Sequence, residues 1–300
     1  MCERCWSSSL SWLACLLLIS TTADAFAATT TDNSAAILRS KYASLEERLR
    51  VNQFKQPLAL DSAETRNRLQ GDVYAVVDHS FGAVGANLSR ADHWCDVMLL
   101  HINVKYCRSA VGTSGILLSV RLGRKISEDI ADAALVEFHF DVAASTPDYL
   151  EVVLNAKDGP LGTSDYHIVL EAVALPSART FIHLTYSYAM NASGWLAMET
   201  YLATIGRNKV GFTATGMDAD GTISYIGGVR GVVERNTMRY YLAIVSYLGA
   251  VGVAPADQPE QRFQGWFSAV EQFPQQLHEM DRREYLDMKR AEYLRQQTVR

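Results

Sequence analysis

The chain has no basic surplus: Lys+Arg 28 stand against Asp+Glu 33, leaving a net charge of −5. Without a chain-wide positive field there is nothing to hold a phosphate backbone or an anionic bilayer, which argues against nucleic acid as a partner. Repeats and long low-complexity tracts are missing too, and with 48% hydrophobic residues the composition is that of a folded protein, neither disordered nor collagen-like. No G-x-S-x-G, S-x-x-K or P-loop pattern occurs, which weakens a hydrolase reading. The histidines, at 79, 93, 101, 139, 167, 183 and 278, form no helical i, i+4 pair around a Glu, so no metal and no catalytic set is expected. Glu137, His139 and Asp141 share one strand face, but alternation sets them opposite Phe138 and Phe140, on an outer solvated face. Gly227 to Gly231 lacks the G-x-G-x-x-G order of a dinucleotide site, and Asp218-Ala219-Asp220-Gly221 is too short for a calcium loop, so no cofactor is expected. From Tyr240 to Ala256 no charge occurs, yet this stretch is shorter than a bilayer span and interrupted by glycine; it reads as a buried helix.

What is present begins at the N-terminus. Trp12 to Ile19 is an apolar run of secretory length, and Ala23-Asp24-Ala25 and Ala25-Phe26-Ala27 both have the A-x-A form that signal peptidase accepts. Residues 1–27 therefore read as a signal peptide and the mature chain as periplasmic or secreted, with a retained N-terminal anchor as the alternative. Export would remove Cys2, Cys5 and Cys15 and leave Cys95 and Cys107. In an oxidising compartment these two make one disulfide; the alternative is a pair of buried free thiols.

Residues 28–70 read as a helical extension, with Ile37, Leu38, Tyr42, Leu45 and Leu49 on one face of a helix over Ala35 to Arg50, then Pro57 and the polar run Asp61 to Gln70 as a separator. A short strand over Asp72 to Asp78 and a helix over Phe81 to Trp94 follow. Period-two alternation then predicts six strands, in Met98 to Tyr106, Leu118 to Leu122, Val136 to Val142, Leu150 to Leu154, Tyr166 to Ala172 and Ile182 to Tyr188. His183, Thr185 and Ser187 share a face read as exposed. Turns as short as Pro147-Asp148 and Pro176-Ser177 argue for an antiparallel meander. A helix over Gly194 to Ile205, a hairpin over Val210 to Ile226 and a helix over Val232 to Leu248 close the domain, 71–254. Residues 255–300 read as a linker and a charged C-terminal helix from Gln275, a solvated face or a tail that binds a protein partner.

The segment Gly71 to Asp78, the strand pair Tyr166 to Tyr188 and the helix Val232 to Leu248 give an element order that resembles the helix-grip fold of the START-like (SRPBCC) superfamily, over roughly residues 71 to 250. Trp94-Cys95-Asp96 and Leu100 to Lys105 are also similar to exported bacterial proteins that carry no assigned activity. The resemblance implies an α+β fold, a curved antiparallel sheet with a long helix across it and helices flanking both ends, and a cavity between sheet and helix for an apolar small molecule or lipid. Physics supports the gap separately, because one helix on a bent sheet leaves space beneath it. Phe138, Phe140, Ile168, Tyr186, Tyr188 and Tyr240 would line it, and Arg235 and Arg239 would meet a headgroup or pair with acids such as Glu234; the same apolar side chains filling the gap is the competing outcome. The rival readings are a periplasmic enzyme using Asp78, His79 and Arg235, and an envelope protein acting through its terminal helices.

Overall fold

A computed structural model describes residues 22–204, 206–217 and 219–298 of the chain. The run Trp12 to Ile19, with Cys2, Cys5 and Cys15, lies outside the described residues. Two helices open the structure, α1 (Thr22–Ser44) and α2 (Glu46–Arg50), and a hairpin follows, β1 (Leu58–Glu64) and β2 (Arg68–Val77). Then come α3 (Phe81–Leu88), α4 (Ala91–Leu100) and six strands: β3 (Val104–Gly112), β4 (Gly115–Leu122), β5 (Ala134–Ser145), β6 (Tyr149–Asp158), β7 (Thr163–Leu175) and β8 (Arg179–Met190). Helix α5 (Ala192–Ala203), the hairpin β9 (Ala214–Met217) and β10 (Ile223–Tyr225), and α6 (Gly228–Gly249) lead into α7 (Gln258–Val270), α8 (Pro274–Leu277) and α9 (Arg282–Thr298). No described helix is long and apolar enough to cross a membrane.

Eight strands form one antiparallel sheet in the order β1-β2-β8-β7-β6-β5-β4-β3. Register shifts in β3, β5 and β7 insert extra residues, which bend strands and raise their twist. The inward positions of the alternating strands, Val136 and Phe138, Leu150, Val152 and Leu154, Ile168 and Leu170, Ile182 and Leu184, meet α6 in one core. This is the helix-grip-like α+β arrangement that the element order predicts. Gly71 sets the distance between the layers: a Cβ there would collide with Thr237 Oγ1 of α6.

Several elements differ from the sequence reading. The polar run Asp61 to Gln70 is not a separator but the β1–β2 hairpin, paired Leu58↔Ala75 through Glu64↔Leu69, so the 70/71 boundary falls inside β2. Its charged residues sit at an edge, where alternation is half hidden by solvent-facing polar positions. Phe81 to Trp94 is two helices, and Met98 to Leu100 end the second of them, so the strand begins at Val104. The face bearing His183, Thr185 and Ser187 is covered: Ala35, Leu38, Leu45 and Leu49 of the N-terminal segment pack there with Ala59, Val76, Tyr149, Val173 and Phe181 as a second, smaller core. Glu137, His139 and Asp141 are exposed, as expected.

The C-terminal segment is a layer of the fold. Helix α7, absent from the sequence reading, buries Phe263, Trp266, Phe267 and Val270. Trp266 stacks on Tyr285 of α9 with centroids 4.9 Å apart and donates its indole N–H to the Arg239 carbonyl at 3.2 Å. Tyr285 donates to the Leu100 carbonyl at 2.9 Å, and Gln296 accepts the Cys107 N–H at 3.1 Å, which covers the edge of β3. Charge on α9 is not all solvated, because Lys289 and Glu292 lie inside. Cys95 of α4 and Cys107 of β3 are joined as a disulfide.

Candidate functional site

The main candidate is a cavity of about 550 Å³ at one end of the sheet, between α6, the α4–β3 turn, the loop after β4 and the β6–β7 turn. Its floor is aromatic and buried: Tyr166 of β7, Tyr186 of β8, Tyr240 of α6 and His101 of the turn. Its mouth is polar and open, with Arg124 and Asp132 exposed and Leu161 projecting into solvent. A larger depression, about 820 Å³, along Asp281, Arg283, Glu284 and Asp287 has charged walls and lacks such a floor.

Helix, turn and sheet each contribute by their own geometry. Alternation sends Tyr186 and Tyr188 inward from β8, and Tyr186 sits opposite Ile168 of β7 and Gly71 of β2. Tyr166 stacks on Tyr188 at 5.4 Å, and Tyr240 approaches Tyr186 at 5.2 Å. His101 caps the end of α4 and stacks on Tyr240 at 4.7 Å, which continues the aromatic row from sheet to turn. Asn103 fixes the turn against β4: its side-chain amide donates to the Gly123 carbonyl at 2.7 Å and its own carbonyl accepts the Gly123 N–H at 2.8 Å. The loop at the mouth closes on itself, with Glu128 accepting from the Arg124 backbone N–H at 2.6 Å and its Nε at 2.9 Å.

The electrostatics behind the floor are positive. Glu279 binds Arg239 and Lys125 at 2.6 Å and Lys209 at 3.3 Å. Burial would raise its carboxyl, but Arg239 and Lys125 carry it down to about 2. Glu292 binds Lys289 at 2.7 Å and Lys105 at 3.2 Å. Burial first, then the charges of Arg239, Lys289, Lys125 and Lys105, hold the His101 imidazole well below its usual value, so the ring is neutral at pH 7. Burial likewise raises the phenols of Tyr186 and Tyr240, which stay protonated.

Of the residues expected to line a gap, Tyr186 and Tyr240 are on the cavity wall. Phe138, Phe140, Ile168 and Tyr188 are buried in the packing beneath it, Phe138 against the Tyr166 ring at 6.1 Å. Arg235 and Arg239 are buried away from the cavity, Arg235 donating to the Val210 carbonyl at 3.2 Å and Arg239 to Glu279. Neither bonds Glu234, whose carboxylate instead accepts from Ser62 Oγ, the backbone N–H groups of Phe212 and Thr213, and Thr213 Oγ1. Asp78 and His79 do not converge with Arg235 on the cavity: Val77 pairs with Thr180 while Tyr186 pairs with Gly71, and six residues of strand put roughly 20 Å between the two ends. His101 and Asn103 are site residues inside the run Met98 to Tyr106 that alternation assigns to a strand. Trp94, Val97 and Met98, at i, i+3 and i+4, are the signal of a helix that runs up to Leu100, just before His101.

A polar cluster lies on the opposite, convex face. His183 bonds Glu171 through Nδ1 at 2.8 Å and Asp72 through Nε2 at 2.9 Å, and stacks on Tyr74 at 4.2 Å. Burial would lower its pKa, but hydrogen bonds to the two carboxylates outweigh that and raise it. Among the described residues no group of three or more His, Cys, Asp or Glu is arranged to hold a metal ion.

No protein-family model matches the chain, and no curated protein matches it. Among solved structures, a conserved protein from Geobacillus kaustophilus aligns at 14% identity over 46% of this chain and 86% of its own, with a TM-score of 0.32. Norcoclaurine synthase from Thalictrum flavum aligns at 14% identity over 46% and 86%, TM-score 0.33. CalU16 from Micromonospora echinospora aligns at 9% identity over 71% and 96%, TM-score 0.31. Superpositions this loose transfer no residue role, so this chain's own cavity is what bears on its function.

Proposed function

We propose that this protein binds a small, flat, apolar molecule in the cavity between α6 and the sheet, and performs no covalent chemistry on it. One observation carries the reading: a cavity of about 550 Å³, of the size that holds drug-sized ligands, has a floor of buried aromatic rings and a polar mouth. Stacking on Tyr186 and Tyr240 and removal of apolar area from water, at roughly 25 cal/mol per Å², supply the affinity. We also propose that the chain is exported; the apolar run Trp12 to Ile19, the A-x-A sites and the Cys95–Cys107 bridge support this.

The cavity reading is tested with the neutral fluorophore N-phenyl-1-naphthylamine. Its emission should rise on mixing with the wild-type protein, and Ala134→Trp, which plugs the cavity wall, should abolish the rise without lowering the melting temperature. Absence of binding, or binding that the plug leaves intact, overturns the proposal. Alkylation of the exported protein without reductant should label neither Cys95 nor Cys107.

A further inference from the structure

The cavity's polar groups narrow the ligand class, an inference that rests on the binding reading above. His101 is 4% exposed, and its Nδ1 lies 3.2 Å from the Asn103 backbone N–H, which can only donate. Nδ1 is therefore the acceptor, and the proton of the neutral ring sits on Nε2. That Nε2–H finds no hydrogen-bond partner among the described residues, although the residue forms part of the cavity wall. A buried donor left unpaired is costly, and an unexplained one at a cavity wall points to an acceptor brought by a ligand.

Charge around the ring specifies what kind of acceptor. Behind the floor five cations, Lys105, Lys125, Lys209, Arg239 and Lys289, share two carboxylates, Glu279 and Glu292. Arg239 Nε is buried and unpaired as well. Of the two acids on the cavity wall, Glu128 has a buried side chain but is paired with Arg124, and Asp132 is exposed at the mouth.

We propose that the cavity selects a flat apolar body carrying one anionic oxygen, a carboxylate in the simplest case, and that His101 Nε2–H takes that oxygen at the floor. Nε2 is covered from water, so the bond forms in a dry setting where a charge-assisted hydrogen bond is strongest, and admitting the oxygen requires the floor side chains to give way. A hydrocarbon of the same shape leaves His101 unpaired. An ammonium group meets like charge.

The test uses three probes of one shape, 2-naphthoate, 2-methylnaphthalene and 2-naphthylmethylammonium, each displacing N-phenyl-1-naphthylamine from the wild-type protein. Naphthoate should displace it at about a tenfold lower concentration than methylnaphthalene, with the ammonium weakest. In His101→Phe, which keeps a flat ring beside Tyr240, the naphthoate advantage over methylnaphthalene should vanish. Should that variant not fold, ring ¹⁵N spectra of the wild-type histidines decide: His101 should be the Nε2–H tautomer, and its Nε2 signal should move with naphthoate and not with methylnaphthalene. Equal displacement by all three probes, a Nδ1–H tautomer or an unmoved signal overturns the anionic class while leaving the cavity reading standing. A fluorophore that never binds overturns both.

Discussion

Glu292→Gln separates a C-terminal helix that belongs to the fold from one that merely lies on it. The carboxylate is 3% exposed and is the counter-charge of two ammonium groups, both fully buried: Lys289 at 2.7 Å and Lys105 at 3.2 Å. Each lysine keeps carbonyl acceptors without it, Ile102 and Ile126 for Lys105, His101 and Val104 for Lys289, so the amide removes charge while most hydrogen bonds survive. Removing one partner of a buried ion pair costs about 3–5 kcal/mol, against a total stability of about 5–15 kcal/mol for a typical domain. Urea unfolding of the variant should show a loss of that size, and hydrogen exchange should accelerate in α9 and in the turn at His101. Glu284→Gln, on an exposed position of the same helix, should change stability by less than about 0.5 kcal/mol. A pH series adds a second readout. Burial carries Lys289 down to about 8, below its unfolded value of 10.5, so between these the unfolded chain holds more protons and stability rises with pH. Without the Glu292 charge and hydrogen bond, which raise it, Lys289 deprotonates at lower pH than in the wild type, so the variant gains stability first and the deficit should shrink from pH 7 to about 9. A deficit under about 1 kcal/mol, typical of surface pairs, or one that grows with pH, would refute the buried-triad argument.

On the convex face, the folded pKa of His183 is raised above its ordinary value of 6.5, so its contribution is fully present below that value and is lost as pH rises through the folded pKa. The wild type's advantage over His183→Asn in denaturation should fall steadily above pH 6.5; a pH-independent difference excludes the charged imidazole. Asp72 and Glu171 are lowered because hydrogen bonds, chiefly from His183, outweigh burial, so their contribution is lost as pH falls through their folded values. Gly71→Ala should cost about 1–3 kcal/mol through overpacking against Thr237, and Thr237→Ala should recover most of it. An alanine at 71 that melts like wild type would show that α6 does not depend on close approach at this point.

The sheet was legible wherever one face is buried and the other wet. Phe138 and Phe140 against His139, or Tyr186 and Tyr188 against Ser187, fix a period of two regardless of what covers the strand. Legibility failed where tertiary packing set the outcome. Leu100-His101-Ile102-Asn103-Val104 alternates by coincidence: its first residue ends a helix whose buried face runs through Trp94, Val97 and Met98, and its last begins a strand. Local alternation cannot see the carbonyls at that helix end, which Tyr285 and Lys289 satisfy from far along the chain while Lys105 bonds the Ile102 carbonyl three residues back. Tyr186 and Tyr240 were readable as inward residues. The remaining aromatic candidates were readable only as inward, because apolar alternation is the same whether a side chain fills a core or lines a cavity.

The charged residues of α6 follow from the layer laid over it. With only the sheet beneath, a helix carrying Glu234, Arg235 and Arg239 would turn them to water. Here Trp266 of α7 packs on the Arg239 carbonyl, Glu279 reaches in to its guanidinium, and the β9–β10 hairpin's flanking residues Phe212 and Thr213 close over Glu234. Burying those charges requires partners, and the partners supplied are fewer in negative than in positive sign: Glu279 alone serves Arg239, Lys125 and Lys209. A packed hydrophobic layer of the same volume would generally have been at least as stable. Under the reading proposed above, this surplus lies behind the cavity floor and would set the sign of a molecule bound there.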